Sequence, residues 1–230
     1  MAGSTGAAVC IQEAFPKAMY THCAAHTLNP CVVKCCSVAE IRNMMDTAES
    51  ICRFFSNSPK RQLALERWIN ETSEGERRTK LKSICKTRWV ERHKAFEVFI
   101  DLFEPLVCCF EDIKDSEGKW NRETRADAQS LFLALSRFPF IISLVITKDV
   151  LAYTKALSIK LQGRYVDVVS AYNHLSLVLT TLKSARENID SVHACMYNRA
   201  MKMAFTVNVQ ESLPRTHQLY QLPSIISELL

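Results

Sequence analysis

The densest run of positive charge in the chain surrounds a tryptophan. Between Arg77 and Lys94 there are eight basic residues and one acid, a net charge of +7, whereas the whole chain carries +5. Several cations along one stretch can contact successive phosphates of a nucleic acid, and an aromatic ring among them can stack on an unpaired base. The candidate nucleic-acid contacts are Arg88, Trp89, Lys86, Arg92 and Lys94. A solvated helix start whose Trp89 belongs to the core explains the same pattern.

A second group of potential ligands lies near the N-terminus. The stretch Tyr20–Cys36 contains two histidines and four cysteines, which are the side chains that bind zinc most often. They are His22, Cys23, His26, Cys31, Cys35 and Cys36. Their spacing fits no common zinc module, so buried thiols are the preferred interpretation. A catalytic pair of Cys23 and His26 lacks an orienting acid, and no phosphate-binding glycine loop is present. We therefore predict neither a metal site nor catalysis.

The composition favours a helical protein in a reducing compartment. The chain has 230 residues, 48% of them hydrophobic, with only 5 Gly and 7 Pro, which disfavours both a turn-rich β fold and disorder. Ten cysteines without a secretion signal favour free thiols and an intracellular location. Apolar runs are too short to cross a bilayer, so no membrane partner is expected.

Hydrophobic periodicity predicts the helices that must position these residues. One amphipathic face runs from Ile41 to Phe55, and Ser58-Pro59 is typical of the start of another helix, ending near Ile69. From Phe96 to Ile113 apolar residues repeat at steps of three and four, and Pro105 should kink or interrupt that helix. A pattern from Val169 to Met203 predicts one very long helix or two in series. Loops are predicted near residues 70–80 and 115–123, and a single strand at 17–23.

Three segments, in order, resemble one group of proteins. The stretches "FPKAMYTHCAAHTLN", "RFFSNSPKRQLAL" and "LKSICKTRWVERHKAFEVF" resemble the hAT superfamily of DNA transposases, and most closely its domesticated relatives such as the zinc finger MYM-type proteins. The resemblance implies an RNase H-like core that is interrupted by a large helical insertion. It assigns Cys23 and His26 to the superfamily's C-x-x-H motif, and Arg88 and Trp89 to its Arg-Trp motif. In that motif the Trp contacts a displaced base next to the cut.

The resemblance also implies a catalytically incomplete protein. The superfamily cleaves DNA with an Asp-Asp-Glu set that holds divalent metal, and no residue of this chain matches any of the three. The expected architecture is mainly α, with residues 1–36 as a small α/β remnant of the RNase H-like core and residues 37–230 as the helical insertion domain. We expect no cofactor, because a divalent metal belongs only to an intact member of the superfamily.

Two functions follow as expectations. The first is residual nucleic-acid binding, with DNA as partner and the nucleus as location. The alternative is a helical protein-interaction module, with protein partners or self-association, or a transposon remnant without retained function. The tail "LPRTHQLYQLPSIISELL" resembles a family segment with its middle removed, which a shortened gene model, a truncated transposon copy or a spliced remnant would each explain.

Overall fold

The computed structural model describes residues 7–17, 38–72, 80–84, 89–161 and 167–212, and these residues form nine α-helices without a strand. The first four are α1 (Ala7–Ala14), α2 (Ala39–Ser56), α3 (Pro59–Thr72) and α4 (Trp89–Asp101). They are followed by α5 (Phe103–Asp115), α6 (Arg122–Leu135), α7 (Phe138–Leu161), α8 (Val168–Glu187) and α9 (Ile189–Thr206). The mainly α prediction is confirmed. The predicted strand lies outside the described residues except for Lys17, and of the predicted core remnant the structure describes residues 7–17.

Helix α7 is the centre of the packing. It contacts α2, α4, α6, α8 and α9, and thirteen of its 24 residues are buried. Its first half is apolar on all sides: every residue from Phe140 to Thr147 is buried. A helix without a polar face is stable in a water-soluble fold only when other helices surround it. The sequence of α7 therefore dictates its central place.

Aromatic residues join α2, α4 and α5 to this core. The ring of Phe110 lies 5.4 Å from that of Phe54 and 5.2 Å from that of Phe55. Phe140 of α7 lies 6.1 Å from Phe99 and 6.5 Å from Phe103, measured between ring centroids. The predicted apolar stripe from Phe96 to Ile113 is confirmed, because each of its members is at most 2% exposed.

Pro105 does interrupt that stripe, as its sequence position predicts. Helix α4 ends at Asp101, Leu102 separates the two helices, and Pro105 is the third residue of α5. The first N–H groups of a helix have no partner inside it, so a proline costs little there. Its ring would collide with the carbonyl of Asp101 if the two helices were continuous.

Two predicted boundaries were wrong. Helix α3 continues to Thr72, whose hydroxyl donates to the carbonyl of Trp68 at 2.7 Å, so the predicted loop begins later than residue 70. The predicted loop at 115–123 is shorter, because α6 begins at Arg122. The Asn121 side chain accepts a hydrogen bond from the Thr124 N–H at 2.9 Å and so caps the new helix at once. Gly118, with φ +79°, lies in the turn between α5 and α6.

The pattern from Val169 to Met203 forms two helices in series, α8 and α9, which meet at Asn188.

Among the described residues, no single helix is both long and apolar enough to cross a membrane. Helices α6 and α7 reach that length and composition only as a pair, and they are bent by 68° relative to each other.

Candidate nucleic-acid interface

The predicted contact residues fall at the edge of what the structure describes. Lys86 and Arg88 lie outside the described residues, as do Cys23 and His26. Trp89 and Arg92 belong to the first turn of α4, where the structure describes the helix but not these two side chains. Lys94 is exposed. The assignment of these residues to a binding site therefore stays a prediction, and the geometry of its two flanks is what the structure contributes.

The upstream flank, residues 80–84, is fixed to the core from one side. Ile84 is buried and Leu81 packs half-buried against the core, whereas Lys80 and Lys82 are exposed. The Cys52 thiol of α2 donates to the backbone carbonyl of Lys82 at 3.4 Å. Burial, reinforced by the charge of Glu49, raises the pKa of the Cys52 thiol to about 12, so it keeps the proton that it donates. The flank thus presents its cations to solvent.

The downstream flank is α4 itself. Ala95, Phe96, Val98 and Phe99 are buried on the side that packs against α7, and Lys94 is exposed. Residues 80–84 and α4, which lie on either side of Lys86 and Arg88, are therefore held by the core. A cationic segment with anchored ends loses less conformational entropy on binding than a free tail does.

One turn after Trp89, a buried polar cluster connects α4 to α7. The imidazole of His93 is 3% exposed, and its Nδ1 lies 3.4 Å from Glu97 Oε2 without the alignment of a hydrogen bond. Lys155 of α7 donates to both Glu97 oxygens, at 3.1 and 3.2 Å. This ion pair connects α4 to α7 across their contact.

The surroundings lower the pKa values of both His93 and Glu97. Burial lowers the pKa of His93, and the cations Lys155 and Lys148 lower it further, against the opposing effect of Glu97. Partial burial alone would raise the pKa of Glu97, but the hydrogen bond from Lys155 and the nearby positive charges outweigh it, so the pKa is lowered. Glu97 is thus ionised at neutral pH and His93 is neutral.

Sequence reasoning did not single out this cluster. The signal that was available is a His and a Glu four residues apart on an amphipathic helix, since such residues are neighbours on the helix surface. Lys155 lies 58 residues further along the chain, and no local pattern connects it to Glu97.

A cleft on another part of the surface carries equal numbers of positive and negative side chains. It has a volume of about 480 Å³ between the first turns of α3 and α6. Lys60 and Arg61 line it together with Glu123 and Asp127, so two cations face two acids. Lys60 Nζ also lies 4.5 Å from the ring centroid of Trp120, a cation–π contact within the protein. This cleft does not extend the basic surface.

Among the described residues, no three His, Cys, Asp or Glu side chains are grouped to hold a metal ion.

Comparison with known proteins finds curated relatives, among them one repressor from two mammals. The 52 kDa repressor of the inhibitor of the protein kinase from Mus musculus is 35% identical over 222 residues, which cover 94% of this chain and 29% of that protein. The protein of the same name from Homo sapiens is 35% identical over 213 residues, covering 90% of this chain and 28% of the relative. No family model and no solved structure matches the chain.

The similarity extends over nearly the whole chain, and the chain spans less than a third of the length of these relatives. The motifs quoted above already point to this repressor, alongside the zinc finger MYM-type proteins. The name of the relatives describes a repressor that acts on an inhibitor of a protein kinase.

Proposed function

We propose that this chain is part of a transposase-derived regulatory protein and binds nucleic acid through the basic segment around Arg88 and Trp89. The observation that carries the proposal is the net charge of +7 between Arg77 and Lys94, a stretch in which residues 80–84 and α4 are anchored in the core. The three cations of these flanks that the structure describes, Lys80, Lys82 and Lys94, are all exposed. The similarity to a repressor supports a role in regulation. DNA as the partner and the nucleus as the location belong to the proposal through the resemblance to the hAT superfamily.

In this proposal the cations and the aromatic ring have different roles. Arg88, with Lys86, Arg92 and Lys94, neutralises phosphates, which supplies affinity for any nucleic acid. Trp89 stacks on an unpaired base, which supplies preference for single strands, hairpins or displaced bases. Catalysis is assigned to residues outside this chain. With Mg²⁺ or Mn²⁺ the protein should leave a supercoiled plasmid intact, and a nicked product would contradict this part of the proposal.

Titration of labelled duplex and single-stranded DNA with the chain tests the two roles separately. Arg88→Ala should weaken binding to both, because it removes a phosphate contact. Trp89→Ala should weaken binding to single strands by about 1–3 kcal/mol and to duplex by much less. Lys202→Ala, which removes an exposed cation from α9, is the matched control and should bind like wild type. Equal affinities for wild type, Arg88→Ala and Trp89→Ala would refute the proposal.

A second function, a protein-interaction module, is favoured by a different observation. Helix α8 exposes four apolar side chains at helical spacing, Val169, Tyr172, Leu175 and Leu179. These residues lie on α8, whereas the basic segment ends on α4.

A further inference from the structure

Helix α8 is a surface helix with very little burial of its own. Of the residues on it whose side chains the structure describes, only Ala185 is buried. Ala171, His174, Val178 and Leu182 are half-buried, and the helix packs mainly against α7. The helix is also rich in Val, Ser and Thr, which have modest helix propensity, and helices in proteins gain most of their stability from packing. Helix α8 therefore stands to gain from a further partner.

The apolar residues beside this packed face follow the spacing of a helix–helix seam. Tyr172, Leu175, Leu179 and Leu182 are separated by three, four and three residues, which is the a/d spacing of a coiled coil. Tyr172 is 66% exposed, Leu175 41% and Leu179 49%, so the described part of the chain leaves these three residues uncovered, whereas Leu182 is half-buried at the end of the seam. Leu177 is 62% exposed as well, but at 3.6 residues per turn it lies on the opposite side of the helix.

We propose that the seam Tyr172–Leu182 binds the same seam of a second copy of this chain, with the two α8 helices antiparallel. The spacing is self-complementary about position 177. An antiparallel pair places Tyr172 against Leu182 of the second copy and Leu175 against Leu179, and the two-fold symmetry repeats both layers. Four apolar layers are formed from one sequence, and Leu177 stays outside them.

The charges at the two ends of α8 select the antiparallel orientation. Lys183, Arg186 and Glu187 are exposed near the C-terminal end, two cations to one acid, and Asp167 is exposed at the N-terminal end, where it caps the helix. Antiparallel pairing brings Arg186 of each copy to the end of the other that carries Asp167, and it also pairs the opposite ends of the two helix dipoles. In a parallel pair, the Arg186 side chains of the two copies would lie beside each other.

The size of the seam sets the strength of the contact. Ten residues of helix span about 15 Å, so the pair buries less surface than a permanent dimer does. The contact should therefore be weak and depend on concentration.

Sedimentation equilibrium of the full chain over roughly 1 µM to 1 mM, the range of weak complexes, tests the pairing. The weight-average mass of wild type should rise from 26.2 kDa toward twice that value. The double variant Leu175→Glu, Leu179→Glu and the single variant Tyr172→Glu should stay at the monomer mass, because they place charge in the seam. Leu177→Glu is the matched control and should dimerise like wild type. All of these side chains are exposed, so circular dichroism should show unchanged helix content.

Three outcomes would overturn the proposal. They are a wild-type chain that stays monomeric over the whole range, seam variants that dimerise like wild type, and a Leu177→Glu variant that loses dimerisation as they do. Arg186→Glu tests the orientation. This variant should weaken an antiparallel pair, because it brings a negative charge close to Asp167 of the other copy. It should leave a parallel pair unchanged, because repulsion between two positive side chains at position 186 is replaced by repulsion between two negative ones.

Discussion

At the scale of single residues, His93 and Glu97 form a polar contact on α4 close to the basic segment. The imidazole is buried and neutral, and the carboxylate is held by Lys155 of α7 at 3.1 Å. Two titratable groups with opposed environments thus lie within two turns of Trp89. The stability of the start of α4 must depend on pH, because one of these groups accepts a proton on unfolding.

We expect acid to destabilise the fold through His93. Burial lowers the pKa of His93 in the folded state below its ordinary value of 6.5, so in mildly acidic solution the unfolded chain binds a proton that the folded chain does not. This contribution to stability is complete above pH 6.5 and is lost as the pH falls, by up to about 1.4 kcal/mol per pH unit.

Urea unfolding of wild type and His93→Gln at several pH values measures this effect. The variant should show a shallower loss of unfolding free energy below pH 6.5. Burial lowers the pKa of His193 too, so His193→Gln should show a shallower loss of its own, and the double variant should show the shallowest. Parallel curves for wild type and His93→Gln would exclude the assigned role.

At the scale of elements, periodicity predicted the helices but not which faces the chain covers. The stripe from Phe96 to Ile113 is buried as predicted, and Pro105 marks the break between α4 and α5. The equally regular apolar positions of α8, such as Tyr172 and Leu175, are exposed. A sequence shows that a helix has an apolar face, whereas long-range packing decides what meets it. For the same reason, Lys155 could not be connected to Glu97 in advance.

The contact between α2 and α5 provides a test of the element packing. Phe110 is fully buried between Phe54 and Phe55, so Phe110→Ala should cost about 3–5 kcal/mol of unfolding free energy in denaturant titration. Leu133→Ala on α6 is the control, because Leu133 is 57% exposed and its truncation should cost about 0.5 kcal/mol or less. Equal losses for the two variants would mean that this aromatic contact is not part of the core.

At the scale of the whole molecule, the positive charge is concentrated rather than spread. A segment of +7 lies in a chain of +5, so the remaining residues sum to −2 and do not attract polyanions by themselves. The chain spans less than a third of the repressors that it resembles. Its division into a core remnant at 1–36 and a helical domain at 37–230 stays a prediction, as does the assignment of Cys23 and His26 to the C-x-x-H motif. Nucleic-acid binding by the basic segment is the central proposal for this part of the protein.

The salt dependence of duplex DNA binding tests that proposal most directly. Each neutralised phosphate contributes about 0.9 to the slope of log K against log salt, so the double variant Lys86→Ala, Arg88→Ala should lower the magnitude of the slope by about 1.8. The double variant Arg122→Ala, Lys202→Ala removes the same charge from exposed positions on α6 and α9 and should keep the wild-type slope. Identical slopes for the two double variants would contradict the assignment of DNA binding to this segment.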